Sequence, residues 1–334
     1  MKLRRPVIKK LKWGAAGLGR FCESAFIPTV SQLRRSVVNS VFSESHERAH
    51  FISNKFGIPN HFSNYDDFLK SEIDAVYIGS ANWHHYEQVI KAARAGKHVL
   101  CEKPIAITAK QAEEMVKVCK ENNVQFAVDY SNRFHPISLK VREILNHQLI
   151  GKLVSIDVHY NIDMAPDNNY RFQKEQSGGG AIRDLGTHMI DLLRFFGGEI
   201  SYITGFTDNI VYKSEVDDFS IGIVKFVDSG YGSFNVSYNN KKAFNRVEIL
   251  GHKGAIGIDH LMGSKFSPAK LTILIDGEAK KVFRKRGNRL LYLLRSVQNS
   301  FLKNQTPLVT GEDGWINLKL MEELENKCRT EVQL

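Results

Sequence analysis

Lys103 and the pair Asp184 and His188 are the residues of this 334-residue chain whose types and positions point most directly to proton chemistry. Lys103 follows the run His98-Val99-Leu100-Cys101-Glu102, just past the carboxyl end of an apolar segment that reads as a buried strand. In open α/β sheets that edge is where ligands bind. Pro104 stops the strand and fixes the turn, and Glu102 can hold the ammonium through a charge-assisted hydrogen bond. Asp184 and His188 stand four residues apart, with Asp191 three further on, a spacing that places all three on one helix face. The residues around them (Ile182, Leu185, Met189, Ile190, Leu192, Leu193, Phe195, Phe196) make the helix apolar on most sides, hence buried. A buried carboxylate is costly unless it is hydrogen-bonded or used. An imidazole, with an ordinary pKa of about 6.5, suits general acid–base work, and a lysine cation stabilises a developing alkoxide. Together these groups suit hydride transfer at a carbon bearing a hydroxyl. His188 would exchange the hydroxyl proton, Lys103 would hold the oxygen, and Asp184 would orient the hydroxyl or the imidazole. The plain alternatives are an exposed Glu-Lys-Pro turn and a structural core histidine. The strand-edge position and the Gly178-Gly179-Gly180 approach to the helix favour chemistry.

Such groups need a scaffold, and the first third of the chain supplies an alternating one. Apolar strand-like runs at 11–15, 37–42, 75–78, 98–101 and 125–128 are separated by helical patterns at 21–33, 45–56, 65–70, 86–95 and 108–122. That order predicts βαβ units and a parallel, doubly wound sheet. Thr108 followed by Gln111 predicts a capping box. After Asp129 the pattern changes. A helix at 137–146 and a strand at 153–160 precede a polar loop, 163–176, and the apolar helix at 181–196. Strands at 201–207, 219–227, 231–238, 246–250, 255–259, 271–275 and 280–283 then follow with short turns, which predicts an antiparallel sheet. Helices at 289–302 and 312–328 close the chain. Length alone favours two domains, and we place them at 1–129 and 130–334: an α/β chain with an N-terminal Rossmann dinucleotide-binding domain and a C-terminal α+β domain on an open, mainly antiparallel sheet.

Between the first strand and the first helix lies Gly17-Leu18-Gly19-Arg20-Phe21-Cys22, a GxGxx-small fingerprint in the strand-then-helix context that gives it weight. Gly17 permits the tight turn, Gly19 lets backbone approach a pyrophosphate, and the helix N-terminus adds N–H groups and a positive dipole. Cys22 in the third glycine's place predicts looser helix–strand packing. A site specific for NAD usually presents an acidic residue to the ribose about 20 residues later. Here the second strand ends at Ser43, and Arg48 follows within reach of a 2′-phosphate. That favours NADP over NAD, with Glu44 as the counter-indication.

Composition narrows the function classes. Net charge is +10, with basic runs at Lys2, Arg4, Arg5, Lys9, Lys10, Lys12 and at Lys280, Lys281, Arg284, Lys285, Arg286. No nucleic-acid recognition motif accompanies them, so they read as a solvated leader and an exposed hairpin, or as attraction for anionic ligands. Cys22, Cys101, Cys119 and Cys328 show no CxxC pair and read as thiols of a reducing cytoplasm. The histidines are not read as a ligand set either, so no metal is expected. No apolar run approaches the roughly 20 residues of a membrane span, and no signal peptide is read at the start.

With these motifs in order the chain resembles the glucose–fructose oxidoreductase/inositol dehydrogenase (Gfo/Idh/MocA) family. The likeness runs over nearly the whole length: Gly17-Leu18-Gly19, Asp74-Ala75-Val76-Tyr77-Ile78, Asn82-Trp83-His84-His85, Ala95-Gly96-Lys97 through Glu102-Lys103-Pro104, Asn132-Arg133-Phe134-His135-Pro136, Gly178-Gly179-Gly180 through Asp184, His188 and Asp191, and Gly311-Glu312-Asp313-Gly314. The resemblance implies NADP or NAD as cofactor, a sugar-like substrate (phosphorylated and nucleotide-linked forms included), and a homo-oligomer, dimer or tetramer, formed through the outer face of the second sheet. It makes Lys103, Asp184 and His188 the catalytic set. It assigns Gly17, Leu18, Gly19, Arg20, Ser43, Arg48, Ser80, Asn82, His85, Glu102, Lys103 and Arg171 to the cofactor. Tyr170-Arg171 is similar to a Trp-Arg pair that some members place near nicotinamide, and Arg289 and Tyr292 resemble residues near the substrate. Ala81 departs from the family's usual proline. The expected activity is NAD(P)-dependent oxidation or reduction of a sugar, polyol or ketosugar. The alternative is a catalytically silent nucleotide-binding sensor of the same fold.

Overall fold

A computed structural model describes residues 9–263 and 267–331, with side chains through Cys328. The basic residues Lys2, Arg4 and Arg5 lie outside the described residues. Two compact units emerge: one from the described residues of Met1–Ile105 with Glu113–Asp129 and Leu290–Glu312, the other from Ala106–Ala112, Tyr130–Arg289 and the described part of Asp313–Leu334.

The first unit carries six strands, β1 (Leu11–Ala16), β2 (Ser36–Phe42), β3 (Asn60–Phe62), β4 (Ala75–Ile78), β5 (His98–Cys101) and β6 (Phe126–Val128). All pair in parallel in the order β3-β2-β1-β4-β5-β6, the doubly wound order with its switch point between β1 and β4. Strands buried on both faces read as continuous apolar runs rather than alternating ones, and all four residues of β4 are buried. Trp13, Phe26 and Tyr77 form the centre, with Phe26 stacked on Tyr77 at 3.8 Å. Helix Arg289–Leu302 returns to this unit and lays Phe301 on Trp13 at 5.8 Å. β3 went unread because three residues, Asn60-His61-Phe62, are too few to carry a period.

The expected helix at 21–33 is instead a π-helical turn, Cys22–Phe26, running into the α-helical Ile27–Val30. Cys22 fits there fully buried. The helix expected from Tyr86 starts four residues earlier, at Asn82, so Asn82 and His85 lie in a first helical turn rather than a loop. Its N-cap is Ala81, whose side chain caps nothing, so the start signal was missing. The capping box is present: Gln111 N donates to Thr108 Oγ1 and Thr108 N to Gln111 Oε1, both at 3.2 Å.

The second unit holds eight strands: β7 (Leu153–Asn161), β8 (Ile200–Asp208), β9 (Phe219–Phe226), β10 (Tyr231–Ser237), β11 (Arg246–Gly251), β12 (Gly254–Asp259), β13 (Ala269–Ile275) and β14 (Lys281–Lys285). Their order is β14-β13-β12-β11-β7-β10-β9-β8. The sheet is antiparallel except where β7 pairs in parallel with β10. The sheet is thus mainly antiparallel, as expected, and its one parallel pair is possible because β7 and β10 are far apart in sequence, where a long connection permits parallel pairing. β9 alternates buried and exposed residues, one face for the core and one outward. Helix Thr187–Gly197 covers the inner face, where a Cβ on Gly197 would come within 2.3 Å of Phe226. The polar loop contains two short helical turns, Tyr170–Phe172 and Lys174–Ser177. β14, with every residue exposed, is the edge hairpin expected of the second basic run. All four cysteines are buried thiols. Among the described residues no helix is long and apolar enough to cross a membrane.

Candidate active site

The glycine turn sits at the switch point of the first sheet. Gly17 has φ +80°, and a Cβ there would lie 2.1 Å from the Ser80 backbone nitrogen, so the turn after β1 is pressed against the segment after β4. Only glycine satisfies both demands. Gly19 is different. Its φ is not positive, and a Cβ there would meet no protein atom within 4 Å. Neither conformation nor protein packing asks for glycine at 19, whereas close approach of a pyrophosphate to the backbone does. The residues present therefore fit a dinucleotide. Leu18 is buried beneath the turn, and Arg20 is exposed beside it.

Arg48, one turn into helix His46–Phe56, directs two N–H groups at the Leu18 carbonyl, at 2.9 and 2.8 Å, and pairs with Glu23 at 2.5 Å. Its guanidinium thus braces the glycine turn, an engagement the sequence did not suggest. Lys55 shares Glu23 at 2.6 Å, and its hydrogen bond, followed by that of Arg48, holds the carboxyl below the usual glutamate range. Ser43, the first residue after β2, is partly exposed, and Glu44 beside it is exposed. His46 and His50 stand a helical turn apart, a spacing overlooked in the sequence, and His61 packs its ring 5.4 and 5.0 Å from theirs. Among the described residues, no group of three or more His, Cys, Asp or Glu could hold a metal ion.

Beyond β4 and β5, Ser80 donates its hydroxyl to Gln88 at 2.7 Å. His85 is fully buried, with one ring nitrogen 3.0 Å from the Ser80 carbonyl and the other 3.0 Å from that of Pro104. Burial, against the pull of those carbonyls, pushes the imidazole down to about 4. His85 ties the segment after β4 to the cis Lys103–Pro104 peptide. Asn82 is buried at the start of the same helix. Tyr77 donates its hydroxyl to Glu102 at 3.0 Å, so Glu102 answers to more than Lys103. Burial is the largest cause raising the Glu102 carboxyl, and nearby Lys103 pulls the other way.

In the second unit, Asp184 lies in a π-helical turn, Ile182–Gly186, directly before helix Thr187–Gly197. Such turns recur at functional sites. Tyr238, at the end of the β10 segment, donates to Asp184 Oδ2 at 3.0 Å, and Arg171 Nε lies 3.6 Å from the same oxygen. Arg171 also rests on the Tyr170 ring. His188 sets its ring edge-to-face with Tyr130 at 6.1 Å, and Tyr130 bonds Thr187 at 2.7 Å. Asp191 has gone elsewhere. It takes a two-pronged hydrogen bond from Arg133, which also reaches Asp313 at 3.0 Å, and accepts from Asn317 at 3.3 Å. A π turn changes the winding between 184 and 191, so the three acidic and basic groups expected on one face serve different partners. The Asn-Arg-Phe and Glu-Asp-Gly motifs thereby acquire a structural role through Arg133 and Asp313. Arg289 donates to Asn132, Leu261 and Gly263 at 2.5, 2.9 and 3.1 Å.

Asp217 is a residue the sequence reading missed. Its carboxylate accepts from Gly180 N at 2.7 Å and Ile182 N at 2.8 Å, holding the triple glycine and the start of the π turn. A Cβ on Gly180 would sit 1.9 Å from the Asp217 carbonyl. Burial pushes the Asp217 carboxyl up from 3.8 to about 6, against those two N–H groups. The folded chain then holds this proton more tightly than the unfolded chain, so stability falls as pH rises through that interval. The wild-type melting temperature is expected to drop between pH 4 and 6 relative to that of Asp217→Asn. Parallel pH profiles for the two proteins would remove Asp217 as the titrating group.

Residues 11–130 match the family described as "Oxidoreductase family, NAD-binding Rossmann fold", and residues 138–257 match the "GFO/IDH/MocA C-terminal domain". The 1,5-anhydro-D-fructose reductase of Ensifer adhaerens is 28% identical over 313 residues, 91% of this chain and 92% of that one. Among solved structures, an aldose-aldose oxidoreductase from Caulobacter crescentus complexed with glycerol superposes with TM-score 0.89 at 22% identity, covering 97% and 98% of the two chains. A levoglucosan dehydrogenase in complex with NADH and levoglucosan gives 0.88 at 20% identity with the same coverage. With both its parallel-sheet half and its mixed-sheet half accounted for, the chain belongs to the Gfo/Idh/MocA family of oxidoreductases.

Proposed function

We propose that this protein is an NAD(P)-dependent oxidoreductase that interconverts an alcohol and a carbonyl on a sugar, polyol or ketosugar, with Lys103, Asp184 and His188 as its proton-handling residues. The observation that carries the reading is the complete Lys-Asp-His set kept alongside a glycine turn open at Gly19. A silent sensor would need neither the acid–base pair nor the strand-edge lysine. The name of the Ensifer relative, a sugar reductase spanning nearly the same length, supports the substrate class.

Nicotinamide dinucleotide, when bound, supplies or accepts the hydride. The chain's own residues do the rest. Gly17, Leu18, Gly19 and Arg20 receive the pyrophosphate, with Arg48 bracing the Leu18 carbonyl and Ser43 at the ribose side. Glu102 steadies Lys103, His85 holds the Lys103–Pro104 peptide through the Pro104 carbonyl, and Ser80, Asn82 and His85 stand on the nicotinamide side. Lys103 holds the reacting oxygen, where a cation stabilises alkoxide charge. His188 exchanges the hydroxyl proton, and Tyr130 fixes its ring. Asp184, aligned by Tyr238 and Arg171, orients the substrate hydroxyl. Phe206 and Ile221 are cross-strand neighbours exposed on β8 and β9, which supports a homo-oligomer through that face. The buried thiols fit a reducing cytoplasm.

Fluorescence titration with NADH and NADPH, followed by assay against sugars, polyols and ketosugars, tests the proposal. Tight dinucleotide binding without turnover on any of them would favour the sensor. Ser43 and Arg48 support NADP, but the two bonds from Arg48 to Leu18 serve a turn that both cofactors use. Arg48→Ala is therefore expected to weaken NADH and NADPH alike, by roughly tenfold or about 1.4 kcal/mol. A loss confined to NADPH would give the guanidinium a dedicated 2′-phosphate role instead.

A further inference from the structure

The second unit carries a tyrosine that the proposed chemistry leaves unused. β7 alternates between faces, and Ile156 and Val158, both fully buried, mark its inner one. Tyr160 is the next residue of that row. Its register partner on β10 is Val236. Val236 shares its face with Tyr238 two residues on, and Tyr238 donates to Asp184 Oδ2 at 3.0 Å. Tyr160 therefore lies one strand over from the support of Asp184, on the same face and at the same end of the sheet. Ile156, Val158, Val236 and Tyr238 are 0% exposed, whereas Tyr160 is only partly buried, so the row leaves the core at this ring.

The Tyr160 hydroxyl has no hydrogen-bond partner among the described residues, and it is not sealed from solvent. The ring is packed while its polar end is open. A phenol both donates and accepts, and this one is held neutral. Burial raises its pKa above the ordinary tyrosine range, with the Arg289 charge opposing and the Asp184 charge adding. That it senses those two charges agrees with the place the strand register gives it. An apolar ring with a free hydroxyl suits a sugar, whose surface alternates C–H and O–H groups.

We propose that Tyr160 is a substrate-binding residue whose hydroxyl takes up a second, non-reacting hydroxyl of the substrate and so restricts the enzyme to polyhydroxylated alcohols and carbonyls. The inference rests on the proposed oxidoreductase reading, in which Asp184 orients the reacting hydroxyl. Asp184 and Tyr160 then hold two different oxygens of one molecule, and a simple alcohol satisfies Asp184 alone.

Kinetics on D-glucose, D-xylose and D-fructose with their monodeoxy analogues tests the assignment. Tyr160→Phe removes an oxygen that bonds no protein group, so its melting temperature is expected within about a degree or two of wild type. On the sugar with the highest kcat/KM, the variant is expected to raise KM by about three- to tenfold and to change kcat by less than about twofold. That is the loss of one neutral hydrogen bond made equally in the ground and transition states. For one monodeoxy analogue, wild type is expected to lose the same factor and Tyr160→Phe nothing further, because both changes delete the same bond. An unchanged KM in Tyr160→Phe, or fully additive losses on every analogue, would overturn the proposal and leave the oxidoreductase reading standing. A joint fall of kcat and melting temperature would overturn it too, since that marks a structural role. If wild type turns over none of the sugars, the oxidoreductase reading fails. Calorimetric titration of the same sugars into NADH-loaded wild type and Tyr160→Phe then decides the hydroxyl contact, and equal affinities would overturn it.

Discussion

Lys103→Ala is expected to lower kcat by about 10²- to 10³-fold, the loss typical when one preorganised donor is withdrawn from a developing oxyanion, while NADH and NADPH still bind. The expectation follows from where the lysine stands. It emerges at the carboxyl edge of β5, one residue after Glu102 and directly before a proline whose carbonyl is held by the buried His85. Such a side chain is positioned by main chain that does not depend on it, so its removal should subtract chemistry and little else. Its counterpart His188→Asn should act on the same step through proton exchange, and the two losses should not add, because residues acting as a unit are strongly non-additive. Steady-state kinetics with a reducible sugar, paired with fluorescence titration of the dinucleotide, separates the outcomes. Turnover in Lys103→Ala comparable to wild type would take the lysine out of the mechanism.

The second large effect is expected at Gly19. A valine there should leave the apo melting temperature within about a degree or two, since no protein atom lies within 4 Å of the new Cβ and the backbone needs no positive φ. Dinucleotide affinity should nevertheless fall by at least roughly 30-fold, or about 2 kcal/mol, because the added atoms occupy the space a pyrophosphate needs against the backbone. Gly17→Ala provides the contrast. There the Cβ overlaps the Ser80 backbone in a left-handed conformation, and the cost falls on folding itself. Calorimetry and cofactor titration on the two variants therefore distinguish a glycine kept for the ligand from one kept for the fold. If Gly19→Val binds NADH and NADPH as wild type does, the pyrophosphate is not received at this turn.

Arg48 illustrates how much of a side chain's engagement lies outside its local sequence. From the sequence, an arginine a few residues past the second strand reads as a 2′-phosphate ligand. In the structure its N–H groups also serve the Leu18 carbonyl and Glu23. Nothing in the local pattern around 48 could announce a carbonyl 30 residues earlier in the chain. Asp191 gives the same lesson from the opposite direction. Its place in an i, i+3, i+4 series suggested a shared functional face, and its actual partner is an arginine 58 residues away.

What the sequence determined by itself is what short-range physics encodes. Strand and helix periods, the strand–glycine–helix context, the capping box at Thr108 and the apolar character of the helix after the triple glycine are all written within about ten neighbouring residues, where backbone sterics and side-chain spacing act directly. The tertiary structure alone decided which side chains hold the candidate catalytic groups: Tyr238 on Asp184, Asp217 on the glycines, Tyr77 on Glu102. It also decided that β7 enters the second sheet between β10 and β11 and that helix Arg289–Leu302 returns to the first unit. Hydrogen bonds and burial are indifferent to separation along the chain, so partners brought from 25 to 54 residues away leave no period for a local reading to detect.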